Sequence, residues 1–215
     1  MNLITLTKPQ SAAAEAYRAL RTNIYFASLE APIKKIVVTS PAPGEDKSTV
    51  LANLAVVMAQ AEKKVIVVDA DLRHPMLHTL FGVNNDKGLS DVLADTSLLQ
   101  RLPLHPTSVM GLSILTSGTS ATNLLDLLNS HRMTDIMERL AELADLVLFD
   151  AAPVTVVSDT AILASQADAT LLVVQMGQTR REHAQQAKDL LARAHARLLG
   201  AVMMNVPQDQ GLTHY

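Results

Sequence analysis

Cysteine is absent from the 215-residue chain. That excludes a disulfide scaffold, thiol catalysis, Cys-ligated zinc and iron–sulfur chemistry. Tryptophan is absent too, and the aromatic residues together make up 3%. The core must therefore be aliphatic, as when Leu, Val and Ala helices pack on a Val/Ile/Leu sheet. No charge sign dominates: 18 Lys and Arg stand against 21 Asp and Glu, a formal net charge of −3. Such a balance argues against a nucleic-acid binder. No apolar run approaches the roughly 18 residues of a membrane span. The opening MNLITLTKPQ lacks the basic-then-apolar order of a signal peptide. Aliphatic residues are plentiful. Hydrophobic residues reach 48% and charged residues only 18%, which excludes disorder and supplies the core of one α/β domain.

Ser11 is placed to cap a helix over AAAEAYRALRTNIYFASLE, and Pro9 discourages helix upstream. Tyr17, Leu20, Ile24 and Ala27 mark its apolar face. Apolar runs at 34–40, 63–71, 112–118, 145–150, 169–175 and 198–206 read as buried strands. Helical patterns fall between them: one from Ser48, a short one in DKGLSDVLAD, a pair over 121–144 with a break near Ser130, one over SDTAILASQ and one over 180–197. Strands that are apolar on both faces and alternate with helices predict an α/β fold, a parallel sheet with helices on both faces. In such sheets the ligand lies beyond the C-terminal strand ends. Asp69, Asp71 and Asp150 all fall at those ends.

The strand–loop–helix at 35–62 has the context of a phosphate-binding loop, read Pro41-Ala42-Pro43-Gly44-Glu45-Asp46-Lys47-Ser48-Thr49. Backbone N–H groups of Gly44, Glu45 and Asp46 and a helix N-terminus would cradle phosphate. Lys47 would reach the β/γ-phosphates, Ser48 would ligate Mg²⁺, and Thr49 would lie near the α-phosphate. Taken alone, the loop also reads as an ordinary turn with a lysine at a helix start. The carboxylates decide between the two readings. Asp69 and Asp71 alternate on an extended strand end and so face one site, where Mg²⁺ and a hydroxyl proton both need oxygen partners. Asp150 after LVLF is a carboxylate of the Walker B kind.

TSPAPGEDKSTVLANLA, VIVVDADLRHP and LVLFDAAPV, in that order and spacing, resemble the bacterial tyrosine kinases. These are the cytoplasmic kinase partners of polysaccharide co-polymerases, within the MinD/ParA-type P-loop class. The resemblance runs from about Glu15 to Val206. Its most discriminating piece is EAYRALR, where Glu15, Arg18 and Arg21 match the family's ExxRxxR oligomerisation motif. On the residues alone these three also fit a solvated i,i+3 salt bridge worth a few tenths of a kcal/mol. The resemblance implies phosphoryl transfer from Mg·ATP to a tyrosine hydroxyl. Lys47 would neutralise phosphate charge, and Ser48 and Asp150 would hold Mg²⁺. Asp71 would activate the phenol, with Asp69 supporting metal or base, and Asn205, which on the residues alone fits a strand-end turn before Pro207 equally well, would contact adenine. It further implies a ring-shaped homo-oligomer, a membrane activator protein, protein tyrosine substrates, and a cytoplasmic place at the inner face of the membrane. Control of polysaccharide polymerisation and export would follow. The expected organisation is one P-loop domain over 1–215, with an oligomerisation helix in 1–33 and a mobile tail at 208–215. The competing readings are a MinD/ParA-type switch ATPase and a nucleotide-weak assembly subunit.

The chain departs from the family pattern in four places. Asp46 stands where Gly usually precedes the lysine. If that position needs φ > 0, a non-Gly residue costs about 1–2 kcal/mol. A carboxylate roughly 5 Å from phosphate adds about 3 kcal/mol of repulsion at an effective dielectric near 20, less if the side chain swings outward. Ala151-Ala152-Pro153 replaces a small hydroxyl and paired prolines, which removes a possible hydrogen bond. The family's tyrosine cluster is represented only by Tyr215, the expected phosphoacceptor. Either the natural chain continues past it, or the cluster is absent. SATNLLDLL at 120–128 keeps Asn123 of a further family segment without its prolines.

Overall fold

The computed structural model describes residues 3–119, 128 and 130–207. They form one seven-stranded sheet. The strands are β1 (Lys35–Thr39), β2 (Val65–Asp69), β3 (His105–Pro106), β4 (Leu112–Leu115), β5 (Leu146–Asp150), β6 (Ala169–Gln175) and β7 (Leu198–Met204). Their order is β3-β4-β2-β5-β1-β6-β7. All pairs are parallel except β3–β4. The six expected strands are β1, β2, β4, β5, β6 and β7, most of them shorter than the apolar runs. β3 was not anticipated: its two residues carry no pattern, and its proline is tolerated because it lies on the sheet edge.

The described helices are α1 (Ile4–Thr7), α2 (Ala12–Glu30), α3 (Lys47–Ala59), α4 (Leu77–Phe81), α5 (Leu89–Ala94), α6 (His131–Leu143), α7 (Asp159–Gln166) and α8 (Arg181–Arg193). Ser11 accepts the Ala14 N–H and starts α2 as expected. The expectation of no helix before Pro9 is corrected by α1. Pro9 restricts only Lys8, where α1 ends, and a tertiary bond supplies the rest. The Thr5 N–H and hydroxyl both donate to Asn53 Oδ1, at 3.1 and 2.9 Å. Of the pair expected over 121–144, α6 forms from just after Ser130. The first member and Asn123 lie outside the described residues.

The sheet has a core on each face. On one side α3 packs against Ile36, Val38, Val67 and Leu148, and α1 and α2 cover it. That double cover explains why α3 is buried at every position except Thr49. On the other side Leu89, Leu93, Met133, Ile136, Leu140 and Leu191 pack on Val37, Val68, Val147 and Phe149. The central strands β2 and β5 are buried at every residue, whereas edge strand β7 is only half buried. Among the described residues no helix is long and apolar enough to cross a membrane.

Candidate active site

β1 lies between β5 and β6, and β2 lies beyond β5. The C-terminal ends of β1, β2 and β5 therefore meet at one place. Asp69 and Asp150 end adjacent strands as register partners. The loop from β1 to α3 passes over them and brings Lys47 and Ser48 down from the first turn of α3. The Lys47 ammonium lies 2.9 Å from Asp71 Oδ2 and 3.0 Å from Asp150 Oδ1. The Ser48 hydroxyl donates to Asp150 Oδ2 at 2.5 Å. Both Asp150 oxygens are thus engaged by the start of α3.

Electrostatics follow from this crowding. Burial alone would lower the Lys47 ammonium's pKa, but Asp150 and Asp71 outweigh it and hold it above the ordinary lysine value. Burial pushes the Asp150 carboxyl up, opposed by Lys47 and Ser48. Asp69 is pushed up to about 8, by burial first and then by the charge of Asp150. Its Oδ2 accepts the Met76 and Leu77 N–H groups at 3.0 and 2.9 Å, while Oδ1 has no hydrogen-bond partner. Asp69 lies beneath the cleft rather than on its wall. Asp71, Lys47 and Ser48 line it.

The cleft has a volume of about 340 Å³ and is bounded by Gly44–Thr49, by Asp71, Arg73 and His74, and by Ala152–Pro153. Gly44 has φ +80°, a conformation that favours glycine. Asp46 has φ 54° and ψ 24°, so the left-handed conformation anticipated for this position is real and is borne by a non-glycine residue. Its carboxylate has swung outward: Oδ2 accepts from Gln175 Nε2 at 2.7 Å. Glu45 is buried and braces the loop, accepting the Ala42 N–H at 2.9 Å and the Thr179 hydroxyl. Burial, and then the Asp46 charge, push the Tyr17 hydroxyl up to about 12. The Ala152 carbonyl accepts the Thr39 and Thr160 hydroxyls at 2.7 and 2.8 Å.

Of the other residues singled out, Thr49 lies between the cleft and a second, open depression walled by α2 and β7. Asn205, with φ 57°, lies on that depression and not on the cleft. Arg18 pairs with Glu15 at 2.6 Å, and Arg21 donates to the Val57 carbonyl at 3.2 Å. Tyr215 lies outside the described residues. Gln175 and Thr179 escaped the sequence reading. They touch the loop from 129 and 134 residues away, and no local pattern marks them.

A central-strand loop holding a lysine and a serine over strand-end carboxylates defines a P-loop NTPase. The ParA family model, described as the NUBPL iron-transfer P-loop NTPase, matches residues 32–208. The chain belongs to the bacterial tyrosine-protein kinase family within that class. It is 43% identical to the tyrosine-protein kinase YwqD of Bacillus subtilis over 202 residues, 94% of this chain and 85% of that one. The putative tyrosine-protein kinase CapB of Staphylococcus aureus is 31% identical over 97% of this chain and 91% of its own. The kinase domain of Escherichia coli tyrosine kinase ETK superposes with a TM-score of 0.89 at 30% identity, covering 100% of this chain and 85% of that one.

Proposed function

We propose that the chain is a protein-tyrosine kinase that transfers the γ-phosphoryl group of Mg·ATP to a tyrosine hydroxyl. The observation that carries this reading is the buried pairing of Lys47, which lines the cleft, with both Asp71 and Asp150. A buried lysine held by two carboxylates is a cation poised for exchange. When nucleotide phosphate enters, Lys47 turns to it, and the Asp71 carboxylate is left without its counter-ion. Asp71 then accepts the phenolic proton at Oδ2 as the tyrosine oxygen bonds to phosphorus and the bond to the ADP oxygen breaks. The rest of catalysis is positioning and charge stabilisation.

The residues present fit Mg²⁺. Ser48 and Asp150 offer hard oxygens side by side, and Asp69 Oδ1 is a buried oxygen without a partner. Among the described residues no three His, Cys, Asp or Glu form a closed cage. An open donor set suits an ion that takes its other ligands from phosphate and water. Bound there, Mg²⁺ would neutralise charge on the β- and γ-phosphate oxygens. Asn205 and the depression beside Thr49 would receive the adenine.

The outward face of α2 supports assembly into a ring. Glu15 is exposed, Arg18 and Arg21 are half-buried, and Tyr25, Phe26 and Leu29 present exposed apolar surface on the same helix. We place the ring in the cytoplasm, recruited to the membrane by an activator of the polysaccharide co-polymerase kind, with Tyr215 as phosphoacceptor. In that setting the kinase would control surface-polysaccharide polymerisation and export. The test is intact-mass spectrometry after incubation with Mg·ATP, an activator fragment and a tyrosine-containing tail peptide. Phosphotyrosine in the wild type and none in Lys47→Met is the expected result. Phosphate released to water without phosphotyrosine would make the chain a switch ATPase.

A further inference from the structure

Asp46 puts a negative charge in a loop built to hold phosphate, and the structure shows how the chain accommodates it. The Asp46 carboxylate accepts from the Gln175 side-chain amide at 2.7 Å. Gln175 is the last residue of β6 and is 4% exposed. Its place is fixed by a tight turn: Thr179 N–H donates to the Gln175 carbonyl at 2.9 Å, and Gln175 N–H donates to the Thr179 hydroxyl at 2.8 Å. The amide is oriented for this contact at a cost. Its Oε1 is buried without a hydrogen-bond partner, whereas the flipped amide would set that oxygen against the carboxylate. The same turn holds the loop's other acid, since Thr179 donates to Glu45. Both acidic side chains of the loop are thus turned toward residues 175–179, and Lys47 alone projects its charge onto the strand-end carboxylates.

We propose that Gln175 is a positioning residue for nucleotide binding, holding the Asp46 carboxylate outside the phosphate cradle. This rests on the nucleotide-site reading above. Without the amide, the carboxylate is free to rotate back over the loop, where it opposes phosphate through space. Gln175 therefore matters only while Asp46 is present. A structural role for a buried residue would not show that dependence.

The experiment is a double-mutant cycle read by titration with fluorescent ADP in the presence of Mg²⁺. The proteins are the wild type, Gln175→Leu, Asp46→Gly and the double variant, with Gln175→Glu as a near-isosteric check should Gln175→Leu melt early. Gln175→Leu is expected to raise Kd about tenfold in the wild-type background, about 1.4 kcal/mol, and less than about twofold in the Asp46→Gly background. Gln175→Glu, which sets a second carboxylate against Asp46, should weaken binding further. Equal effects of Gln175→Leu in both backgrounds, or none in either, would overturn the proposal alone. So would a wild type that fails to bind while Asp46→Gly binds. Absence of binding in all the proteins would overturn the nucleotide reading and this proposal with it.

Discussion

Asp69 and Asp150 end neighbouring strands in register, both fully buried, with a single lysine to serve the pair and Asp71 besides. One ammonium cannot neutralise three carboxylates. Burial pushes the Asp150 carboxyl up, and burial with the charge of Asp150 pushes Asp69 up to about 8. In the unfolded chain the Asp69 carboxyl titrates near 4. Between those values the folded state binds more protons than the unfolded state, so stability falls as pH rises from about 4 to about 8. In Asp69→Asn the amide oxygen can still accept from Met76 and Leu77, and that part of the slope disappears. Urea unfolding of the metal- and nucleotide-free protein at pH 5, 6, 7 and 8 should show the variant gaining on the wild type toward the alkaline end.

Lys47→Met removes the cation that Asp71 and Asp150 share. Tyrosine phosphorylation should fall by about 10²–10³-fold, the usual loss for one electrostatic stabiliser. Breaking a buried ion pair also leaves its carboxylates uncompensated, a cost of about 3–5 kcal/mol unless they take up a proton. The variant should therefore melt earlier at pH 8 than at pH 6, relative to the wild type. Phosphotyrosine formation and thermal melting at the two pH values check both parts.

Asp71→Asn separates proton acceptance from nucleotide binding. Asp71 faces the cleft and touches Lys47, but its carboxylate is not bonded to Ser48. Phosphorylation of a tyrosine peptide should drop about 10²–10⁴-fold, the range for a lost general base. Nucleotide affinity should stay within a few-fold. A loss of affinity as large as the loss of rate would assign Asp71 to phosphate or metal instead.

Arg18→Ala with Arg21→Ala should lower the assembled mass measured by light scattering. Within one chain Arg18 pairs with Glu15 at the surface and donates to the Pro9 carbonyl, and Arg21 donates to the Val57 carbonyl. Such contacts stabilise the monomer by about 1 kcal/mol or less each. A lower mass with little change in melting would place them between subunits, and an unchanged mass would count against the ring.

Asn53→Ala should release α1 from α3. It strands the Thr5 N–H and hydroxyl, both bound to Asn53 Oδ1 in a buried setting. Each buried polar group left without a partner costs about 1–3 kcal/mol. For a chain of this size that predicts a lower melting temperature by about 2–4 °C per kcal/mol.

Much of this was legible in the residues. Apolar strand runs alternating with helical patterns can satisfy their faces only in a parallel sheet covered on both sides. The C-terminal strand ends then collect Asp69, Asp71 and Asp150, with Lys47 and Ser48 at the start of the helix after β1. These are local patterns, set by periodicity and by the chemistry of each residue type. Contacts far apart in sequence were not legible. That α1 forms before Pro9 depends on Asn53, and that Asp69 lies beneath the cleft rather than in it depends on where Met76 and Leu77 return. The fate of Asp46 is the sharpest case. Its place in the loop reads as a carboxylate facing phosphate. Only the packing of β6 beside β1 brings Gln175 within 2.7 Å and turns that charge aside. Periodicity reports which face a residue presents, but which side chain waits there is decided by strand order in three dimensions.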